Sequence, residues 1–215
     1  VALWQAISAN RVSPIHMKPS VYNSIVLGLG NPGGEHENTR HNAGRAAAKA
    51  FAKTHGFPLF EEQKKLAALV SENTADKTTI LLVLPETFMN HSGKTASALK
   101  IPFKRVPEKL IVMHDDLDLP LGTVKIIKNR GSAGHKGVES IMRALKTKDF
   151  SRIRIGIAKP KDIVKSQTKE TVHKIIIGKL PPAEKLLLQK GIKKAADALT
   201  AIAEQGVEQA MNKFN

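Results

Sequence analysis

Along the chain, uninterrupted apolar runs alternate with stretches whose apolar positions recur every three or four residues. Ile25 to Leu29, Ala67 to Ser71, Thr79 to Leu84, Leu110 to His114, Thr123 to Ile127 and Arg152 to Ala158 are short and rich in β-branched residues, which predicts strands. Ala43 to Lys53, Ser92 to Lys100, Gly137 to Leu145 and Pro182 to Glu204 carry helical spacing. Continuous apolar runs mark strands covered on both faces, and their alternation with helices predicts an α/β fold. We expect a single domain with a mixed, mostly parallel sheet flanked by helices. The last helix starts around Lys179 to Glu184, with prolines in its first turn and Glu184 near the positive end of its dipole. Its positions Leu186, Leu187, Ile192, Ala195, Ala196, Leu199 and Ile202 recur as on a face that closes over the sheet, which is preferred to a partner-binding role.

The 215 residues, 41% of them apolar, suffice for one sizeable core and are few for two. That domain is assigned to residues 24–215. Residues 1–23 stand apart, with Arg11, Lys18, three serines and no acidic residue. They fit a mitochondrial transit segment, a native extension or foreign residues ahead of Met17, and Pro14 and Pro19 argue against one long helix. No internal repeat or low-complexity segment is evident, and Lys159 to Lys169 is a charged loop.

Thirty-four Lys and Arg against nineteen Asp and Glu give a formal charge of +15. Such an excess implies a polyanionic partner, nucleic acid or an anionic membrane surface, with solubilising lysines as the bland alternative. No apolar stretch approaches the ~20 residues of a membrane span, so nucleic acid is the better partner and no membrane is expected. The absence of Cys excludes a disulfide framework and a thiolate site, and fits a soluble intracellular protein.

The densest chemistry lies in Gly28 to Gly44, GLGNPGGEHENTRHNAG, at a strand-to-helix crossing, where open α/β sheets build sites. Gly28 to Gly33 satisfies G-x-G-x-x-G, yet a dinucleotide reading fails. Pro32 removes an N–H from the phosphate-cradling loop, and the acidic ribose partner expected about 20 residues on is replaced by Ala48-Lys49-Ala50-Phe51-Ala52.

Gly28 to Gly33 and Thr39 to Gly44 resemble the G-L-G-N-P-G and T-R-H-N-A-G signature of the bacterial-type peptidyl-tRNA hydrolase family. Pro85 to Gly93 is similar to that family's P-x-T-[FY]-M-N-x-S-G, and His114 to Gly122 to its H-D-[DE]-L-D-L-P-x-G. Phe150 to Ile157 and Ala210 to Asn215 extend the likeness over nearly the whole chain from about Ser24. The resemblance implies hydrolysis of the ester joining a peptide to the terminal ribose of tRNA, which recycles tRNA. It also implies contact with the acceptor stem and 3′ end, no cofactor and no metal. His41 is then the base that deprotonates water, Asp115 the carboxylate that holds its other ring N–H, and Asn31 the amide beside the scissile bond. Asn90 holds the substrate near the base, and Phe88 and Met89 line the cleft, although Met89 is equally readable as core packing.

The plain competitors are a capping histidine, asparagines in turns, and a run Asp115, Asp116, Asp118 that is either ordinary turn chemistry before Pro120 or a Mg²⁺ cluster. Turn chemistry is preferred, because hydrolysis by His and Asp needs no metal.

Two departures stand out. His36 occupies a position at which the family usually has Tyr, with less ring area for stacking. Where the family reads G-S-A-G-G-H-N-G, the chain has Gly131-Ser132-Ala133-Gly134-His135-Lys136-Gly137, one glycine fewer and Lys136 in place of asparagine. His135 and Lys136 remain substrate-binding candidates, but the shorter loop is expected to displace His135. An ammonium only donates; it can meet a phosphate or an oxyanion, or lower the pKa of His41.

For phosphate contact the candidates are Lys125, Lys128 and Arg130, with Lys146, Lys148, Arg152 and Arg154 around the next strand. One such pair is expected to meet a 5′-phosphate. The alternative to an active hydrolase is a weakened relative serving as an RNA-binding or RNA-processing factor, a reading that rests on Lys136. A monomer in a bacterial cytoplasm or a mitochondrial matrix is expected, with the ribosome a further candidate partner.

Overall fold

The computed structural model describes residues 22–75, 77–102, 105–159, 176, 178 and 180–215. Most of the N-terminal extension, the charged loop beyond Lys159 and the Lys179 edge of the last helix lie outside the described residues. Seven strands form one sheet: β1 (Ser24–Gly28), β2 (Glu61–Gln63), β3 (Ala68–Ala75), β4 (Thr78–Pro85), β5 (Leu110–Pro120), β6 (Val124–Lys128) and β7 (Ser151–Ala158). Their spatial order is β2-β3-β4-β1-β5-β7-β6. The central strands β4, β1, β5 and β7 are mutually parallel, and antiparallel pairings close both margins.

Six helices are described: α1 (Ala43–Thr54), α2 (Ser92–Ala98), α3 (Val106–Lys109), α4 (Lys136–Leu145), α5 (Pro182–Gln205) and α6 (Val207–Phe214). The pleat of β1 shows why its run is continuously apolar. Val26 joins Ala47, Phe51, Leu199 and Ile202 in one core, while Ile25 and Leu27 join Leu99, Val138 and Ile141 in another. One core thus lies under α1, α5 and α6 and the other under α2 and α4. In the second, Gly93 lets α2 meet α4 closely: a β-carbon there would lie 2.2 Å from the carbonyl oxygen of Ser140.

The margins differ most from expectation. Glu61–Gln63 has no apolar pattern, and its strand character comes from pairing with β3. Strand β5 runs on through the expected aspartate turn to Pro120, its register with β7 shifting between Asp116 and Pro120. Leu186 and Leu187 are exposed, whereas Ala195, Ala196, Leu199 and Ile202 carry the buried face of α5. The folded unit reaches back to Tyr22, fully buried, and to Asn23, whose backbone N–H donates to Thr79. At the β6 edge the Asn215 carboxamide accepts from the Ile126 N–H at 2.8 Å and donates to its carbonyl at 2.9 Å.

Candidate active site

Beyond β1 the chain stays attached to the sheet: Leu29 N–H donates to Met113 at 2.9 Å, and Arg45 N–H returns to the Leu29 carbonyl at 2.8 Å. The start of α1 therefore presses on β5. A β-carbon on Gly44 would lie 2.1 Å from the Met113 carbonyl oxygen, so only glycine allows this approach. Two short 3₁₀ turns, Gly34–His36 and Arg40–Asn42, fold the intervening polar run. Arg40 is buried against Glu184 of α5, which also pairs with Lys159, and Arg45 pairs with Glu86 and donates to the Pro85 carbonyl.

Within this frame Asn42 behaves as a substitute peptide group. Its Oδ1 accepts from Asn31 N–H at 2.8 Å and its Nδ2 donates to the Asn31 carbonyl at 2.9 Å. The Asn31 side chain in turn accepts the Met89 N–H at its Oδ1, 2.8 Å away. Because a backbone N–H can only donate, this fixes the amide orientation and leaves Nδ2 as a donor facing away from Met89.

His41 and Asp115 meet as the sequence leads one to expect: His41 Nδ1 lies 2.9 Å from Asp115 Oδ2 and 3.1 Å from Oδ1. The carboxylate accepts, so Nδ1 carries the proton and Nε2 has its lone pair available. His135, at the end of the shortened loop, also reaches this carboxylate. Its Nδ1 accepts from Val138 N–H at 3.2 Å, capping α4, and its Nε2–H donates to Asp115 Oδ1 at 2.8 Å. The cap docks the ring on the carboxylate despite the missing glycine. Asp115 is therefore shared by two imidazoles, whose ring centroids lie 5.5 Å apart.

Behind them sits fully buried His114. Its Nδ1–H donates to the Asp115 carbonyl at 2.7 Å, and its Nε2 faces the Arg152 guanidinium at 3.3 Å.

Burial disfavours charge on all these groups, and partners decide the outcome. For Asp115, desolvation acts upward but is overcome by His41 and His135, which hold its pKa far below the carboxylate range. For His41, desolvation acts downward, the Asp115 carboxylate overrides it and the net pKa is raised, while Lys136 opposes the rise. For His114, desolvation, His135 and Arg152 all depress the pKa, leaving a neutral ring.

His41, Asp115 and His135 have donor atoms within 4.8 Å of one another, the one such cluster among the described residues. The ring nitrogens facing the carboxylate are its hydrogen-bond donors, so a cation would have to displace their protons. The Asp115, Asp116, Asp118 grouping does not converge. Asp116 is committed to Arg154 at 2.5 Å and to the backbone N–H of Asp118 at 2.9 Å, whereas Asp115 faces the histidines.

The remaining candidates separate clearly. Phe88 is 62% exposed, and Asn90 is exposed with its Nδ2 3.3 Å from His91 Nε2. Met89 is core: only 4% exposed, it lies where a β-carbon on Gly137 would meet its sulfur at 2.5 Å. His36 is partly buried at the 3₁₀ turn, with Glu35 3.7 Å away. Lys125, Lys128, Arg130, Lys136, Lys146 and Lys148 are exposed. Arg152 is not available to a phosphate; it is 1% exposed and donates to the carbonyls of Arg130 and Gly131 at 3.1 and 2.5 Å. Arg154 is partly buried by its ties to Asp116 and Asp118. Sequence reasoning passed over Asn42 and His114, although both stand beside a chosen residue within the quoted motifs.

An α/β domain with an imidazole–carboxylate pair at the ends of its parallel strands defines a class, and sequence comparison gives the family within it. The peptidyl-tRNA hydrolase family model matches residues 25–215. The chain is 42% identical to a peptidyl-tRNA hydrolase of Thermoanaerobacter sp. (strain X514), covering 89% of this chain and 98% of that protein. It is 35% identical to one from Brevibacillus brevis, covering 89% and 97% respectively. The crystal structure of peptidyl-tRNA hydrolase from Acinetobacter baumannii superimposes with a TM-score of 0.80 at 31% identity, covering 89% of this chain and 94% of that one. The chain belongs to the peptidyl-tRNA hydrolase family.

Proposed function

We propose that the protein hydrolyses the ester between a peptide's C-terminal carbonyl and the terminal ribose hydroxyl of tRNA, with His41 as general base. The observation that carries this reading is the His41 Nδ1–H bond to Asp115, which leaves Nε2 free to accept a proton. Water gives that proton to Nε2 as its oxygen attacks the ester carbon, and Asp115 stabilises the imidazolium. The Asn31 Nδ2 donor, oriented through the Met89 N–H, serves the developing oxyanion. Collapse breaks the carbon–oxygen bond, and the imidazolium returns its proton to the departing ribose oxygen. Nothing in this cycle requires a nucleophilic side chain.

Phe88 and Asn90 are assigned to the substrate, the exposed ring as a stacking platform for the 3′ end and the amide for the peptide backbone. His36 is assigned to the substrate as a further stacking ring. Lys125 lies directly opposite Arg154 in the β6–β7 pairing; Arg154 is already neutralised by Asp116 and Asp118, so exposed Lys125 is the member of the pair assigned to an acceptor-stem phosphate. Lys128 and Arg130 extend the basic surface towards Lys136, which opens α4 beside His135. The comparisons offer nothing in favour of the RNA-binding alternative, since the relatives matched along nearly their full length are named as hydrolases.

The direct test is release of the amino acid from an N-blocked aminoacyl-tRNA by the purified protein in the presence of a chelator. Hydrolysis that disappears in His41→Ala, with tRNA binding kept, is the expected result. Equal activity in that variant would exclude His41 as the base.

A further inference from the structure

Arg152 carries a charge into the interior, and the reaction just described makes no use of it. Among the described residues it makes no ion pair; its partners are the carbonyls of Arg130 and Gly131 and the Nε2 of His114. Desolvation pushes its pKa down to about 10, which leaves it cationic at neutral pH. Burying a guanidinium in this way is unfavourable unless its donors are well used. Here they join two segments that must meet in the site.

The first is the loop between β6 and α4. Ala133 has φ of 52°, in the left-handed region that a β-carbon disfavours, between Asn129 at 54° and Gly134 at 78°, residue types that adopt it more readily. Such a conformation persists only where its surroundings impose it. Arg152 holds the loop at residues 130 and 131, and four residues after Gly131 the chain delivers His135 to Asp115. The second segment is β5 at His114. The guanidinium donates to Nε2, so the ring proton resides on Nδ1 and is given to the carbonyl of Asp115 itself. One buried cation thus sets both the backbone of Asp115 and the loop that carries its second imidazole.

We propose that Arg152 is a positioning residue for the His41–Asp115 pair, acting from behind through His114 and the 130–131 backbone. It is not a tRNA phosphate contact. The proposal rests on the reading of His41 as general base. Only a planar fork reaches acceptors on both segments, and lysine, a single point of charge, holds one of them.

The test uses the full chain with Arg152→Lys and Arg152→Ala, beside His41→Ala. Hydrolysis of N-blocked aminoacyl-tRNA, binding of deacylated tRNA and thermal unfolding are measured for each. Arg152→Ala is expected to lose about 10²-fold in kcat with KM and tRNA binding near those of the parent, the scale of an ångström-sized misplacement. Arg152→Lys should recover part of the loss, and millimolar guanidinium should restore the alanine variant without altering tRNA binding. Nitrogen-bound ring protons of His41 and His135, followed by NMR, should exchange faster in both variants.

Weakened tRNA binding with kcat intact would make Arg152 a phosphate contact and overturn the proposal. So would kcat falling only in step with the folded fraction, or parental kcat in folded Arg152→Lys with unchanged ring-proton exchange. That lysine variant decides the matter if the alanine variant does not fold. Activity persisting in His41→Ala is a separate result, which removes the general-base reading and the proposal with it.

Discussion

The segment from Leu29 to Gly44 and the loop from Asn129 to His135 each bring one imidazole to Asp115, but they are held by different means. The first is secured by hydrogen bonds to the central sheet, by the Asn31–Asn42 amide pair and by a glycine pressed on the Met113 carbonyl. The second crosses left-handed backbone at Ala133 and Gly134 and is anchored from outside itself, by Arg152 and by the histidine cap on α4. The difference teaches that His41 is placed by backbone bonds to the parallel core with one side-chain amide added, whereas His135 is placed mainly by side chains that a substitution can remove.

Breaking the comparison at its shared centre should have the largest effects. His41→Ala is expected to lower kcat on the order of 10⁴-fold or more, by analogy with loss of the base in other hydrolases, with thermal unfolding little changed. Steady-state kinetics beside a melting curve checks both. Asp115→Asn should cost on the order of 10³–10⁴-fold, because an amide can turn its NH₂ towards the ring and favour the wrong tautomer.

Asp115→Asn should also change the pH dependence of stability. The folded-state pKa of Asp115 lies below its unfolded value, so its stabilisation is present above the ordinary carboxylate pKa and is lost as pH falls towards the folded value. For His41 the sign is opposite: a raised pKa stabilises below the ordinary imidazole value, and that contribution fades as pH rises through the folded one. Acid unfolding of Asp115→Asn should accordingly be less steep than that of the parent.

Asn42→Ala tests the firmly held side alone. Losing both bonds to the Asn31 backbone should lower kcat by up to about 10²-fold through misplacement of the Asn31 amide, and should cost about 1–3 kcal/mol in denaturant unfolding. The smallest effect is expected on the other side, at Lys136→Asn. Hydrolysis needs neutral His41, so the acid limb of kcat/KM follows its pKa; removing the opposing cation should move that limb to higher pH. A limb that stays put or moves down would show that Lys136 does not act on His41.

Much of this was legible in the chain. The continuous apolar runs of β1 and β4 announced a sheet covered on both faces, and His41 and Asp115, each in a motif beside a strand, meet in the structure. What escaped reading shares a cause. Asn42, His114 and Arg152 are polar groups satisfied inside the protein, and a sequence does not tell an arginine facing a phosphate from one facing carbonyls. The aspartates of β5 read as a turn because local preference favours one; pairing with β7 overrides it and turns Asp115 and Asp116 to opposite sides of the strand.

The carboxamide of Asn215 at Ile126 bears on how the molecule behaves in company. An open sheet margin is a template on which another chain can lay a strand, and β6 forms one margin of this sheet. By taking both the N–H and the C=O of Ile126, a single side chain fills the rung an incoming strand would need there. One amide at the end of the last helix thus closes that rung of the margin to a strand from another chain.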